Sequence, residues 1–322
     1  MIWSKEALLT DKLARRRFLK TGGLAIAGAL SVGCGPQTEN KPAESSAAPS
    51  ASTEFASQEP RLIPGCCAYS FNTYLSKKKM TYPEFFDKVV EMGSVGADMT
   101  VYWFQSTEPA YLDDLRHQAF KRGIPFSGAA CGSSMVEASG AKRREVLTEI
   151  KKWVDVADRL GASHLRIFGG PLPKGVTAKQ GTDWVVETMK PACDYSGKKG
   201  ITLGIEDHEG VTQNSDVCLE IMRRVDSPYA GINLDITNFV ATPSADPYTQ
   251  IKACLPFATH SHIRDHFADG TPVDLERVWR LFAEAGYKGY MSAEYEGHED
   301  AMTGVPKLMD KIKTLCRIYS TA

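Results

Sequence analysis

Between residues 201 and 294 the chain reads ITLGIE (201–206), AGINLD (230–235), ATHSHI (258–263) and GYMSAE (289–294), short apolar or β-branched runs separated by longer segments of helical period. That alternation marks strand–helix units laid into a parallel sheet. Working outward toward the N-terminus, the pattern repeats at GCCAYS (65–70), ADMTVY (97–102), FSGAA (126–130) and HLRIF (164–168). Eight strands, each followed by a helical segment, predict an α/β protein with a single (β/α)8 TIM barrel over residues 62–322, close to the usual size of that fold. A doubly wound open sheet offers no reason for eight units, and no Gly-x-Gly-x-x-Gly follows the first strand. Thr81-Tyr82-Pro83-Glu84 opens a helix with a cap and an early proline, and Lys121-Arg122-Gly123 closes the next. Gly161, Gly200, Gly286 and Gly289 are expected at helix-to-strand returns.

Successive strand residues point to opposite faces, so alternation sorts the last four strands. Ile201, Leu203 and Ile205 form a helix-facing set, leaving Thr202, Gly204 and Glu206 inside the barrel. Ile232 and Leu234 leave Gly231, Asn233 and Asp235 inside; His260 and His262 share one face, as do Tyr290, Ser292 and Glu294. Glu206, Asp235, His262 and Glu294 are thereby placed at the C-terminal strand ends, where this fold builds its active sites. Three carboxylates converging on one small space repel one another unless a cation neutralises them, and a divalent metal is the natural resolution. Oxygen and nitrogen ligands without thiolate suit one ion of Mn, Mg, Co or Zn.

LGIEDH (203–208), INLD (232–235), HSHIRD (260–265) and AE (293–294) resemble the Glu, Asp, His and Glu ligand motifs of the xylose isomerase-like sugar isomerase/epimerase superfamily, which includes ketose 3-epimerases, inosose dehydratase and hydroxypyruvate isomerase. The resemblance implies Glu206, Asp235, His262 and Glu294 as metal ligands, with Glu206 and Glu294 also the acid/base pair. Many relatives carry His three residues after the Asp ligand. This chain has Asn238, which hydrogen-bonds a sugar hydroxyl but cannot act as a general base.

Further residues gather near the same end. His208 continues the inward parity of Glu206 and is expected to bind substrate, as are Asn238, Arg166 on strand four and Trp103 after strand two. Arg166 has a plainer reading as counterion to the acidic site. His164 and His260 are expected one layer lower, and His266, Glu296 and His298 on loops at the mouth.

The N-terminus has a different character. Arg15-Arg16-Arg17-Phe18-Leu19-Lys20 before an apolar run to Val32 resembles a twin-arginine signal peptide, and that run is too short to span a bilayer. Leu30-Ser31-Val32-Gly33-Cys34 resembles a lipobox, with Cys34 as the lipid-anchored residue. Residues 1–34 are thus expected to be a targeting segment and residues 35–61, rich in Pro, Ser, Ala, Glu and Gln, a disordered linker. Localisation is expected to be periplasmic, with membrane contact only through that anchor. Loss of residues 1–33 leaves 32 basic and 37 acidic residues, an acidic balance that argues against a nucleic-acid partner. The eight cysteines show no Cys-x-x-Cys pair, and adjacent Cys66 and Cys67 read as small core residues.

These observations predict an exported, metal-dependent sugar isomerase/epimerase that moves a proton next to the carbonyl of a free sugar or keto-sugar through an enediolate. The competing enzyme reading is a metal-dependent lyase or hydrolase of oxidised 3-keto glycosides. A third, endonuclease IV-like repair, needs extra His ligands where this chain has Tyr102-Trp103 and Ala130-Cys131. The reading from another class is a non-catalytic sugar-binding barrel.

Overall fold

The computed structural model describes residues 59–320, so the expected targeting segment and all but the end of the expected linker lie outside the described residues. The strands are β1 (Arg61–Cys67), β2 (Gly96–Thr100), β3 (Phe126–Ala130) and β4 (His164–Phe168), then β5 (Thr202–Glu206), β6 (Ala230–Asp235), β7 (Ala258–Ile263) and β8 (Lys288–Ala293). The longer helices follow in turn: α1 (Tyr82–Glu91), α2 (Pro109–Lys121), α3 (Gly140–Leu160), α4 (Ala178–Gly197), α5 (Ser215–Val225), α6 (Pro247–Cys254), α7 (Leu275–Glu284) and α8 (Ala301–Tyr319). All neighbouring strands pair in parallel and β8 closes onto β1, with Gly65 opposite Ser292, so the expected (β/α)8 barrel forms without free sheet edges.

Helix starts follow the sequence signals. Thr81 caps α1 in a reciprocal box with Glu84, and Gly161 ends α3 at φ 83°. Gly289 is different: it lies inside β8, and a Cβ there would come 2.5 Å from the Tyr287 hydroxyl, so close packing rather than a turn explains it. The first strand also differs from its expected span. It begins at Arg61, inside the expected linker, and gives way after Cys67 to a 3-10 turn, Ala68–Phe71.

Parity within the barrel is as the alternation requires. Leu203, Ile205, Ile232 and Leu234 are fully buried against the helices. On the other face a Cβ on Gly204 would meet His164 Nε2 at 2.3 Å, so glycine on β5 makes room for the imidazole of β4. Among the described residues no helix is long and apolar enough to cross a membrane.

Candidate metal centre and active site

Glu206, Asp235, His262 and Glu294 are all buried, and one ligand atom from each lies within 4.8 Å of the others. Strand register does this: Asp235 and His262 are partners across β6 and β7, and the Glu294 amide donates to the Ile263 carbonyl at 2.9 Å just past the end of β8. His262 Nδ1 faces Glu294 Oε1 at 3.3 Å and Glu206 Oε2 at 3.6 Å. Its Nε2 lies 2.9 Å from Asp98 Oδ2 on β2, an acceptor that holds the ring proton at Nε2 and leaves Nδ1 turned to the carboxylates.

The three carboxylates are held by different partners. Asp235 Oδ1 accepts the Thr237 amide at 2.8 Å and hydroxyl at 2.7 Å. Its Oδ2 accepts no hydrogen bond, although Arg264 Nη2 is 2.9 Å away. Glu294 turns Oε1 to His262 and Oε2 to the same Arg264 nitrogen at 2.7 Å. Glu206 Oε2 is ion-paired with Arg166 Nε at 3.0 Å, and its Oε1 receives Asn238 Nδ2 at 3.5 Å.

Burial alone would keep these acids neutral, so the arginines matter. For Glu206, Arg166 and His262 outweigh desolvation and hold the pKa below the usual value; for Glu294, His262 and Arg264 hold it well below. Both glutamates are therefore ionised. Burial also opposes charge on His262, yet Glu294 and Glu206, with the hydrogen bond to Asp98, push its pKa well above normal, so the metal-free ring is itself cationic.

The residues present fit a divalent cation. Four buried carboxylates, those of Asp98, Glu206, Asp235 and Glu294, outnumber the two guanidinium groups and the His262 ring that face them, and Asp235 Oδ2 is a buried acceptor without a donor. The donor set is oxygen with one imidazole nitrogen, and the outer nitrogen of that imidazole is held by a carboxylate, as metal-binding histidines commonly are.

The structure brings some expected residues to this arc and leaves others beside it. Arg166 enters as the partner of Glu206, its guanidinium 3.9 Å from the Phe168 ring centre and Nη1 3.3 Å from the Tyr102 hydroxyl. Asn238 reaches Glu206 through its amide. His208 instead packs against Phe168 with the rings tilted by 42° and their centres 4.4 Å apart, and Trp103 stacks on Tyr69 at 5.9 Å. His164 and His260 stack on each other at 5.0 Å within the barrel, edge-on to His262 in the case of His260.

Three residues escaped the sequence reading. Asp98 had a signal, being a charged residue between apolar Ala97 and Met99 inside a strand. Arg264 shares the parity of His262, which would have turned it to the site. Cys67 is not only a core residue: its thiol is 3.8 Å from Glu294 Oε1 and 3.5 Å from the Thr100 hydroxyl.

Comparison with known proteins agrees with this architecture. No curated protein matches the sequence. Among solved structures, a xylose isomerase domain protein from Planctomyces limnophilus superposes with a TM-score of 0.63 at 13% identity, covering 82% of this chain and 99% of its own. D-psicose 3-epimerase from Clostridium cellulolyticum H10 gives 0.64 at 12% identity, covering 74% and 94%. The 3-keto-D-glucoside 4-epimerase from E. coli gives 0.62 at 13% identity, covering 80% and 99%. At such identities the likeness is one of fold. The sequence itself matches the family described as the xylose isomerase-like TIM barrel over residues 86–315, most of the barrel, and the chain belongs to that family.

Proposed function

We propose that the chain is a metal-dependent isomerase or epimerase that moves a proton on the carbon beside the carbonyl of a free sugar or keto-sugar. The observation that carries this reading is the pair Glu206 and Glu294, two buried and ionised carboxylates on either side of His262, each held by its own arginine. The fold shared with sugar epimerases supports the same class. A divalent ion held by Glu206, Asp235, His262 and Glu294 would supply Lewis-acid polarisation of the substrate carbonyl.

The chain's own residues do the rest. One glutamate accepts the carbon-bound proton and, now a carboxylic acid, returns it to the neighbouring carbon, giving isomerisation; for epimerisation the other glutamate first takes up a proton from a substrate hydroxyl or from water and delivers it to the opposite face of the same carbon. Arg166 and Arg264 keep both groups charged before substrate arrives and fix the direction in which each points. Asn238, beside Glu206 Oε1, offers an amide to a sugar hydroxyl.

Glu206→Gln and Glu294→Gln, each saturated with metal, should lose at least about 100-fold in turnover, because an amide cannot accept the proton. Full turnover by either loaded variant would remove the pair from the chemistry. In the same reading the protein is exported by the twin-arginine route, an inference from Arg15 and Arg16 and the apolar run behind them. Arg15→Lys with Arg16→Lys should hold it in the cytoplasm on fractionation, and Cys34→Ser should release it from the membrane; unchanged export of the double variant would overturn the route.

A further inference from the structure

The two arginines of the arc are placed differently. Arg166 has one carboxylate within ion-pair distance, Glu206 Oε2 at 3.0 Å, and its Nη1 is otherwise held by neutral oxygens, the Tyr102 hydroxyl at 3.3 Å and the Cys131 carbonyl at 3.4 Å. Its guanidinium also lies 3.9 Å from the Phe168 ring centre, and its side chain is only 3% exposed. Arg264 is 16% exposed and spreads one nitrogen over three carboxylates: Nη2 is 2.7 Å from Glu294 Oε2, 2.9 Å from Asp235 Oδ2 and 3.2 Å from Glu296 Oε1.

These three contacts differ in kind. Nε and Nη2 of Arg264 both donate to Glu294 Oε2, at 3.2 and 2.7 Å. Asp235 Oδ2 accepts no hydrogen bond, so Arg264 meets it only as a neighbouring charge. Glu296 stands in the β8–α8 loop, two residues beyond Glu294, and is not one of the four side chains gathered for a cation. Arg264 and Glu296 both line a cavity of about 700 Å³ that neither Asp235 nor Glu294 lines, so the guanidinium has open space on its Glu296 side.

A divalent ion held by the arc needs Asp235 Oδ2, the oxygen that the Thr237 amide and hydroxyl leave free. Two cations would then share one buried oxygen, the ion bonded to it and Arg264 Nη2 at 2.9 Å, where little solvent screens their repulsion. A small turn of the guanidinium relieves this. Nε keeps its bond to Glu294, while Nη2, already 3.2 Å from Glu296, gives up Asp235. We infer that Arg264 and Glu296 form an exchange pair: when a divalent cation takes Asp235 Oδ2, Nη2 of Arg264 passes from Asp235 to Glu296. Glu296 is then a positioning residue that sets how tightly the ion is held without touching it. This rests on the reading of the arc as a metal centre and adds to it the counterion that lets the metal in.

The test is a double-substitution cycle read as affinity for Mn²⁺ and Zn²⁺, by competition with a chelator at neutral pH. Glu296→Gln should weaken binding about 10-fold, because the displaced guanidinium then lacks a counterion, and in an Arg264→Gln background the same substitution should weaken it about twofold or less. A crystal of Mn²⁺-loaded protein should show Arg264 Nη2 more than about 4 Å from Asp235 Oδ2, outside ion-pair range, and against Glu296. Unchanged affinity in the Glu296→Gln protein would overturn the exchange. So would equal losses in the two backgrounds, which mark Glu296 as a distant negative charge, or Arg264 Nη2 still on Asp235 in the loaded crystal. The single Glu296→Gln variant and the crystal decide even where Arg264→Gln fails to fold. Wild-type protein that binds neither ion would instead sink the metal centre, and the exchange with it.

Discussion

The half of the barrel formed by β5–β8 and the half formed by β1–β4 meet at the same site with different chemistry. From the first come Glu206, Asp235, His262 and Glu294, the side chains able to touch a cation. From the second come Asp98, which holds the far nitrogen of His262, Arg166, which pairs with Glu206, and Cys67, whose thiol lies against Glu294. One half offers the ligands and braces two of them itself, Arg264 past β7 and Thr237 past β6 holding Glu294 and Asp235, while the other half braces His262 and Glu206 from across the barrel. The difference shows how a closed barrel uses its circumference: a side chain across the barrel, far away in sequence, can brace a ligand that its own strand neighbours cannot reach.

If this division is right, the largest effects belong to β5–β8. Asp235→Ala or His262→Ala removes an expected ligand outright, and metal affinity, measured by competition with a chelator, should fall by more than about 100-fold, beyond the range typical of outer partners. Retention of metal by both variants would break the comparison at its strong end. Asp98→Asn should be milder. It keeps the shape and one acceptor oxygen but loses the charge that anchors the Nε2 proton, so affinity should drop about 10- to 100-fold with the circular dichroism unchanged. An Asp98→Asn protein as retentive as wild type would make the β1–β4 half a passive wall.

The same division explains what the sequence made legible. The eight strands and the four-residue arc could be read because apolar alternation and strand-end acids are local signals, and the structure places Glu206, Asp235, His262 and Glu294 together. The bracing residues were harder, because a brace is defined by what it meets across the barrel. Asp98 contacts His262 over 164 positions of chain, and nothing near Asp98 announces that partner. Cys67 was obscured for another reason. Its strand starts at Arg61 with Leu62 and Ile63 ahead of Pro64, and proline reads as a break, which moved the expected strand to 65–70. Pro64 is tolerated where its missing N–H leaves the pairing with β8 in register from Arg61 to Cys66. His208 was placed at the right end of the barrel by parity and Trp103 by its position after strand two, yet loops after a strand end no longer obey strand parity, and both rings lie against aromatic neighbours.

The smallest expected effect is at Cys67, and it is the sharpest check on the comparison. Its sulfur, Asp98 and His262 lie within 4.8 Å of one another, a grouping that in principle is a second metal position on the β1–β4 side. Two observations speak against it. His262 Nε2 is already engaged by Asp98 at 2.9 Å, so an ion there would have to displace that hydrogen bond. Burial, with Asp98 adding to it, pushes the Cys67 thiol up to about 12, so in the metal-free protein it is neutral and no nucleophile, and an ion there would have to displace its proton as well. What remains is a weak contact to Glu294 Oε1 at 3.8 Å, at the low end of the ~0.5–1.5 kcal/mol that a hydrogen bond contributes net. Cys67→Ala should therefore change metal affinity by about threefold or less, and the folded wild-type protein should resist alkylation at this position. A loss comparable to that of Asp235→Ala, or a shift in preference away from thiophilic metals on removing the sulfur, would mean that β1 contributes a ligand after all. The two halves would then differ in number of ligands rather than in kind.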